Sequence, residues 1–499
     1  MSERIGIDVG GTSTDAVRVA ANGAVLARAK EITTADPFDG ILRALDAVLP
    51  ADPAAVAHVA LGTTHALNAI LRRAELGRVA VVRIAGPATR SLPPFAGWPD
   101  DLRTCVAGAA EIVDGGVEVD GRVHPLDEDA VRRAVAGAEA VAITGMFSPQ
   151  DPAQELRARE IAHEELGADV PVTLGHEVAG IGLLDRENAA ILNAAVRGVA
   201  GRVVDAFARA MAERGLAAVP YLSQNDGTLL GHEQARALPV LTIGGGASNS
   251  IRGAAVLCGL AEALVIDVGG TSTDIGAITA GFPRESAVGV EIGGVETNFR
   301  MPDVVSIALG GGTVVGATIG PESVGARIGE EALVFGGATP TLTDASVAAG
   351  RTALGDPARA ARDWGGVLEE VERRIADGVD RVKLARGDVP LIAVGGGSHL
   401  VADRVPGASE VLRPRDFDVA NAIGAATGSI GGDAERVLDL GADRAGGLAD
   451  VAAEARARAV ASGADPGRLE TIRVDEVPLA YTTPPLTRVR VRVAGPPVG

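Results

Sequence analysis

The sequence predicts an α/β fold with a duplicated core, and three observations predict it. Residues 7–15 read Ile-Asp-Val-Gly-Gly-Thr-Ser-Thr-Asp, and residues 266–274 read the same residues again. Apolar runs of strand length alternate with segments of helical period, as in crossover units around a largely parallel sheet. Glycine triplets follow apolar runs at Gly244-Gly245-Gly246, Gly310-Gly311-Gly312 and Gly395-Gly396-Gly397. At 499 residues the chain can form two or more domains and bury a large core. With 47% hydrophobic residues but only 2% aromatic, that core is mainly Ala, Val, Leu and Ile.

Each copy of the repeat is flanked by apolar runs, 4–6 and 16–19 in the first and 263–265 and 275–278 in the second. This is a hairpin pattern: a buried strand, a glycine turn carrying hydroxyls, and a returning strand. Paired glycines let backbone N–H groups close on phosphate oxygens with no Cβ in the way. Thr12, Ser13 and Thr14 add hydroxyls, and Asp8 leaves the strand as a carboxylate able to hold Mg²⁺ through water. One copy alone reads equally well as an ordinary turn. Two identical copies favour two phosphate hairpins facing one cleft.

In chain order, a turn at Gly23 leads to a strand over 25–30. A helix follows whose Ile41, Leu42, Leu45, Val48 and Leu49 recur every ~3.6 residues, begun by Asp36 or Asp39 and ended by Pro50. A strand over 56–61 delivers Thr63 and Thr64 to the next helix, where the hydroxyls either cap it or line the cleft. Strands over 79–85, 140–144 and 170–174 alternate with helices over 127–137 and 152–166, and a long helix over 184–214 leads onward. Gly244–Gly246 precedes a helix over 251–260, as an anion site by backbone dipole or as tight packing. The strand 389–394 ends in Gly395, Gly396 and Gly397, a side-chain-free surface on which an adenosine can lie flat. A small-residue helix over 416–430 follows, and the tail holds an Ala/Arg helix and strands over 472–477 and 489–493. The expected division is 1–190, 191–440 and 441–499.

A net charge of −19 argues against a nucleic-acid surface but not against ATP held by backbone amides and metal. Cys105 and Cys258 are too few for a disulfide framework, which points to a reducing cytoplasm. No signal peptide precedes the first strand, and no apolar run reaches membrane-spanning length. His65, His176 and His399 lie nearest the cleft loops. His399 suits stacking or structure, and His176 with Glu177 is a two-residue metal candidate. No Cys pair or Ser/His/Asp spacing suggests a covalent nucleophile.

Taken together these stretches resemble the actin/Hsp70/sugar-kinase ATPase superfamily, and more specifically the ATP-binding subunit of the hydantoinase/oxoprolinase family. The resemblance is carried, in family order, by Ile5–Asp15, Gly62–Leu71, Phe147–Pro149, Arg186–Asn193, Ile266–Asp274, Gly320–Gly325, Phe335–Asp344, Val394–Gly397 and Ala420–Ala425. It implies a two-lobed actin-like (ribonuclease H-like) ATPase fold that uses ATP and Mg²⁺. Asp8 and Asp267 would then be catalytic, in the metal and water shell, with Asp15 and Asp274 either metal-linked or capping their turns. Gly10, Gly11, Thr12, Ser13, Gly269, Gly270, Thr271 and Ser272 would hold the phosphates, and Gly395, Gly396 and Gly397 the adenosine. One departure is Gly244-Gly245-Gly246, where relatives usually carry Ser-Gly-Pro.

The implied chemistry is phosphorylation of the amide oxygen of a cyclic amide (5-oxoproline, hydantoin or lactam type). Ring amides resist attack through resonance, which phosphorylation removes. The resemblance implies a second catalytic subunit of the hydantoinase B type, leaves a homo-oligomer open, and implies neither nucleic-acid nor membrane partners. Two other readings compete: an ATP-dependent carboxylase subunit or small-molecule kinase, and a non-catalytic ATP-binding regulator or assembly protein.

Overall fold

A computed structural model of the chain describes all residues except 1–2, 12, 33–35, 87–88, 119–120, 287–288, 442, 481, 483–484 and 499. Both repeats form hairpins. Glu3–Val9 pairs antiparallel with Ser13–Val19 in a register that sets Asp8 opposite Asp15. Ala263–Val268 pairs with Thr273–Thr279 in the same way, setting Asp267 opposite Asp274. The first hairpin is buried on both faces because helices cover both. Pro37–Val48, capped by the Asp36 carboxylate, packs Ile41, Leu45 and Val48 on Ile5 and Ile7. Ala420–Ala426 packs Ala422, Ile423 and Ala426 on Val17 and Val19.

Each hairpin is the core of a sheet. The first lies in a nine-stranded sheet ordered Glu470–Pro478, Thr487–Gly495, Ser429–Leu438, Thr228–Gly231, Val219–Ser223, Val56–Thr63, Glu3–Val9, Ser13–Val19, Val25–Ile32. The second lies in a six-stranded sheet, where Val389–Val394 runs parallel to Ala263–Val268. A third, four-stranded sheet (Ala107–Val113, Val79–Ile84, Val141–Gly145, Val172–Leu174) is parallel throughout, as strand–helix alternation requires. The helix Leu183–Glu213 carries buried side chains along most of its length, and its first half packs against this third sheet.

Sheet membership cuts across the segments 1–190, 191–440 and 441–499. The nine-stranded sheet takes strands from all three, and the tail's hairpin covers the edge of Ser429–Leu438. Pairing an edge in this way removes a row of unsatisfied backbone groups. The apolar run 239–243 forms a 3₁₀ turn, Pro239–Thr242, and the next helix begins already at Gly245. It starts there because Asn225 Oδ1 accepts the Gly244 N–H at 2.7 Å. The small-residue helix is confined to Ala420–Ala426, with a strand resuming at Ser429. Among the described residues no helix is long and apolar enough to cross a membrane.

One helix crossing positions the site. A Cβ on Gly253 would lie 1.8 Å from the Ala420 carbonyl oxygen, and one on Gly424 would lie 1.9 Å from that of Asn249. The helices Gly245–Cys258 and Ala420–Ala426 therefore meet backbone to backbone, which only glycine permits.

Candidate functional site

The two hairpin turns close identically. Gly10 N–H donates to Ser13 O at 3.0 Å, and Gly269 N–H to Ser272 O at 2.9 Å. Thr12 lies outside the described residues. Asp8 is buried, and burial pushes its carboxyl up to about 6 against the amide bonds that favour the charged form. Those bonds come from Asn249 Nδ2 to one oxygen and Asn421 Nδ2 to the other, both at 3.1 Å. Asn421 also reaches Asp15 at 3.0 Å, and Lys30 Nζ lies 2.5 Å from Asp15. Asp267 is likewise raised to about 6, first by burial, and accepts the Ser250 hydroxyl at 2.5 Å. Asp274, also raised by burial, accepts the Ser306 hydroxyl.

Asn249 and Ser250 are neighbours on one helix, yet they reach opposite hairpins. That helix therefore stands between the hairpins and brings their aspartates into electrostatic range, so that Asp8 and Asp15 both raise Asp267. Asp15 and Asp274 sit on the returning strands facing Asp8 and Asp267.

The second hairpin is clamped. Gly311 and Gly312 donate backbone N–H bonds to Gly269 O and Gly270 O at 3.0 and 2.7 Å, and the Ser323 hydroxyl reaches Gly270 O at 3.2 Å. A Cβ on Gly310 would lie 2.6 Å from Thr271 N. From the other side, Gly397 N–H donates to Val268 O at 2.7 Å. Gly395 has φ +83°, and its Cβ would fall 2.2 Å from Asp267 Oδ1. Gly396 alone of this triplet faces open space. At Gly11 of the first hairpin a Cβ would meet nothing within 4 Å.

The hydroxyls at the strand–helix junction are spent locally. Thr63 Oγ1 lies 2.8 Å from His65 Nδ1 and also accepts the His65 N–H, while Thr64 Oγ1 accepts from Asn68. Burial lowers His399 to about 4, the charge of Arg351 adding to it. The pairing of His176 with Glu177 as a metal site is not what the fold builds. His176 Nδ1 lies 2.5 Å from buried Glu155, and Glu177 pairs with Arg159 at 2.9 Å. The reason is that the short helix Gly175–Val178 turns these consecutive side chains in different directions. Among the described residues no group of three or more His, Cys, Asp or Glu is gathered to hold a metal by itself.

Two family models match the chain: hydantoinase/oxoprolinase N-terminal region over residues 4–166, and hydantoinase/oxoprolinase over residues 186–355. The chain belongs to the hydantoinase/oxoprolinase family. It is 28% identical to caprolactamase subunit alpha of Pseudomonas jessenii, over 85% of this chain and 65% of that protein. It is 27% identical to acetophenone carboxylase gamma subunit of Aromatoleum aromaticum, over 69% of this chain and 53% of that protein. The chain thus spans less than two thirds of the length of these relatives. The solved ATP-dependent caprolactamase from Pseudomonas jessenii superposes with a TM-score of 0.75 at 21% identity, covering 99% of this chain and 87% of that one. The fold is accordingly the α/β fold of that caprolactamase, with the nine-residue hairpin duplicated.

Within this hydantoinase/oxoprolinase chain, five site residues escaped the sequence reading: Lys30, Asn249, Ser250, Ser306 and Asn421. The polar run Ser248-Asn249-Ser250 inside a small apolar helix, and Asn421 among alanines, were the available signals. Lys30 and Ser306 gave none, since a charged or hydroxyl residue on an outer strand is ordinary.

Proposed function

We propose that this chain is the ATP-binding part of an ATP- and Mg²⁺-dependent enzyme that phosphorylates the amide oxygen of a cyclic amide for ring opening. One observation carries the reading. Asp8 and Asp267, from two copies of one hairpin, converge across a single helix, and amide and hydroxyl donors are their bonded partners among the described residues. Burial holds these two carboxylates up to about 6, and a hard divalent ion fits that donor set. Mg²⁺ commonly takes one or two carboxylates, substrate phosphates and several waters, so a larger acidic cage is not needed. Asp8 and Asp267 would hold it, with Asp15 paired with Lys30 and Asp274 bonded to Ser306. When bound, the ion would neutralise charge on the phosphates.

The protein's own share is orientation. Backbone groups of 10–11, 13 and 269–272 would hold the phosphates, and Gly396 offers open backbone for the adenosine. The lone pair of the amide oxygen forms a bond to the γ-phosphorus as the bond to ADP breaks. The ring carbon then accepts water more readily, because its amide resonance is gone. The ring C–N bond breaks with its nitrogen leaving as the amine, and a second water releases phosphate from the acyl phosphate, leaving a linear amino acid, or its N-carbamoyl derivative from a hydantoin. A 5-oxoproline, hydantoin or lactam ring all fit this chemistry, and the caprolactamase relative favours a lactam. Both relatives are named as subunits, which supports a second subunit as partner. A cytoplasmic setting follows from the cysteine usage.

The acetophenone carboxylase relative supports a second reading, phosphorylation on the way to carboxylation. A screen of lactams, hydantoins and ketones for stimulated ADP release, with product analysis, tests the proposal. A ring-opened amino acid supports the hydrolase, and a carboxylated or phosphorylated product supports the second reading. ATP binding without turnover on any of them would leave a regulator.

A further inference from the structure

The first turn of the helix Gly245–Cys258 belongs to neither hairpin nor to the 395–397 turn, yet it opens beside the aspartates. Gly246 stands three and four residues before Asn249 and Ser250, so all three share one face of the helix. Asn249 bonds Asp8, Ser250 bonds Asp267, and Ser250 Oγ also lies 3.3 Å from Gly246 O. At 1.5 Å per residue, Gly246 is about 5 Å along the axis from both contacts.

The N–H groups at a helix start have no partner within the helix. Here Asn225 takes that of Gly244, and no side chain caps the turn. Those of Gly245, Gly246 and Ala247 bond nothing among the described residues, and the positive end of the helix dipole stands behind them. Gly246 and Ala247 are only half-buried, and a Cβ on Gly246 would meet one atom within 4 Å, Thr64 Cγ2 at 3.5 Å. A second observation points to a ligand. Asp8 pairs with Gly62, and Gly62 and Ser223 each follow the paired residues Leu61 and Leu222. Their side-chain positions therefore share one face of the sheet. A Cβ on Gly62 would lie 2.4 Å from Asn249 Nδ2, so the helix covers that face. The Ser223 hydroxyl on it is buried, at 2% exposure, and bonds nothing among the described residues. A Cβ on Gly245 would lie 3.4 Å from Ser223 Cβ, which sets this hydroxyl at the foot of the same turn. A buried hydroxyl without a partner is costly to keep.

We propose that these donors form an oxyanion cradle for the phosphoryl group in transit, with the N–H groups of 245–247 and the Ser223 hydroxyl on its oxygens. The inference rests on the proposed function. There the bond from phosphorus to the ADP oxygen breaks as the bond to the amide oxygen forms, and negative charge spreads over the three remaining oxygens. The hairpins and the cation hold the phosphate chain, and the cradle takes the group that leaves it. Donors already in place as that charge develops cost no reorganisation.

The test is isothermal titration of the whole chain with MgADP, with and without orthovanadate, which mimics the phosphoryl group between donor and acceptor. Vanadate should tighten ADP binding at least tenfold in the wild type. Ser223→Ala and Gly246→Val should each remove most of that gain, with binding of MgADP alone unchanged. A structural role predicts otherwise, since deleting an unpaired buried hydroxyl leaves a merely packed position as good as before. Gly246→Val has room beside Thr64, so it keeps the test alive if the serine variant misfolds. No vanadate gain in the wild type, a full gain in either folded variant, or an equal loss of MgADP binding would each overturn the cradle. Lactam-stimulated ADP release is measured on the same preparation. A gain lost in the variants, without that release in the wild type, upholds the cradle and sinks the amide acceptor; release with the gain intact does the reverse.

Discussion

The two hairpins share nine identical residues and differ in almost everything around them. The second is gripped by backbone on both sides, from 310–312 and 395–397, and its Asp267 accepts a serine hydroxyl. The first leaves Gly11 open, and its Asp8 and Asp15 are bridged by Asn421, with Lys30 beside Asp15. One sequence thus makes a fixed wall in one place and an open, charge-tuned one in the other. The motif sets the turn, and distant neighbours set its rigidity and electrostatics.

Glycine substitutions break the comparison most strongly. Gly395→Ala would place a Cβ on Asp267 at a positive φ, so a loss of about 3 kcal/mol in unfolding free energy is expected by denaturant titration. Gly310→Ala drives a Cβ into the second hairpin's backbone and should cost about 2 kcal/mol. Gly11→Ala, at the corresponding turn of the first hairpin, should change stability by no more than ~0.5 kcal/mol. A Gly310→Ala variant as stable as Gly11→Ala would show that the clamp is not what separates the hairpins.

Next in size is Gly396→Val. It points into open space and its φ is not left-handed, so thermal stability should hold. ATP affinity should fall more than tenfold, ~1.4 kcal/mol, if the adenosine lies there. Unchanged affinity on isothermal titration would move the adenosine elsewhere.

The smallest effects sharpen the electrostatic half. Asp8 and Asp267 have folded values near 6 against an ordinary 3.8, so between those values the folded state holds more protons than the unfolded. Ionising them therefore costs stability as pH rises through about 4 to 6, and a bound cation should reverse that trend. Turnover needs the ionised forms, so kcat/KM should fall as pH drops through about 6. Lys30 favours ionised Asp8, hence Lys30→Gln should move that acid limb to higher pH. Lys30 is 41% exposed, so stability should change by less than ~1 kcal/mol. An acid limb that stays in place would remove Lys30 from the site.

The hairpins were legible because strand period, glycine turn and repetition agree within nine residues. Their register also carries the facing of Asp8 by Asp15, although a turn cap and a strand position look alike in a short motif. Asn421 was not legible, because its place beside Asp15 spans 406 residues and depends on Gly253 and Gly424 letting two helices touch. Nor was the partner of His176: adjacency in sequence suggested Glu177, whereas a buried Glu155 from the preceding helix takes the imidazole. The tail's pairing with the nine-stranded sheet is equally non-local, since edge strands carry no mark of which edge they will cover.

The central claim is that both hairpins hold one metal–nucleotide unit through Asp8 and Asp267. Equilibrium binding of Mn²⁺, as a spectroscopic stand-in for Mg²⁺, in the presence of a non-hydrolysable ATP analogue tests it most directly. The expected result is one ion per chain in the wild type, with affinity at least tenfold weaker in both Asp8→Asn and Asp267→Asn while each stays folded. Wild-type affinity in either folded variant would contradict the account.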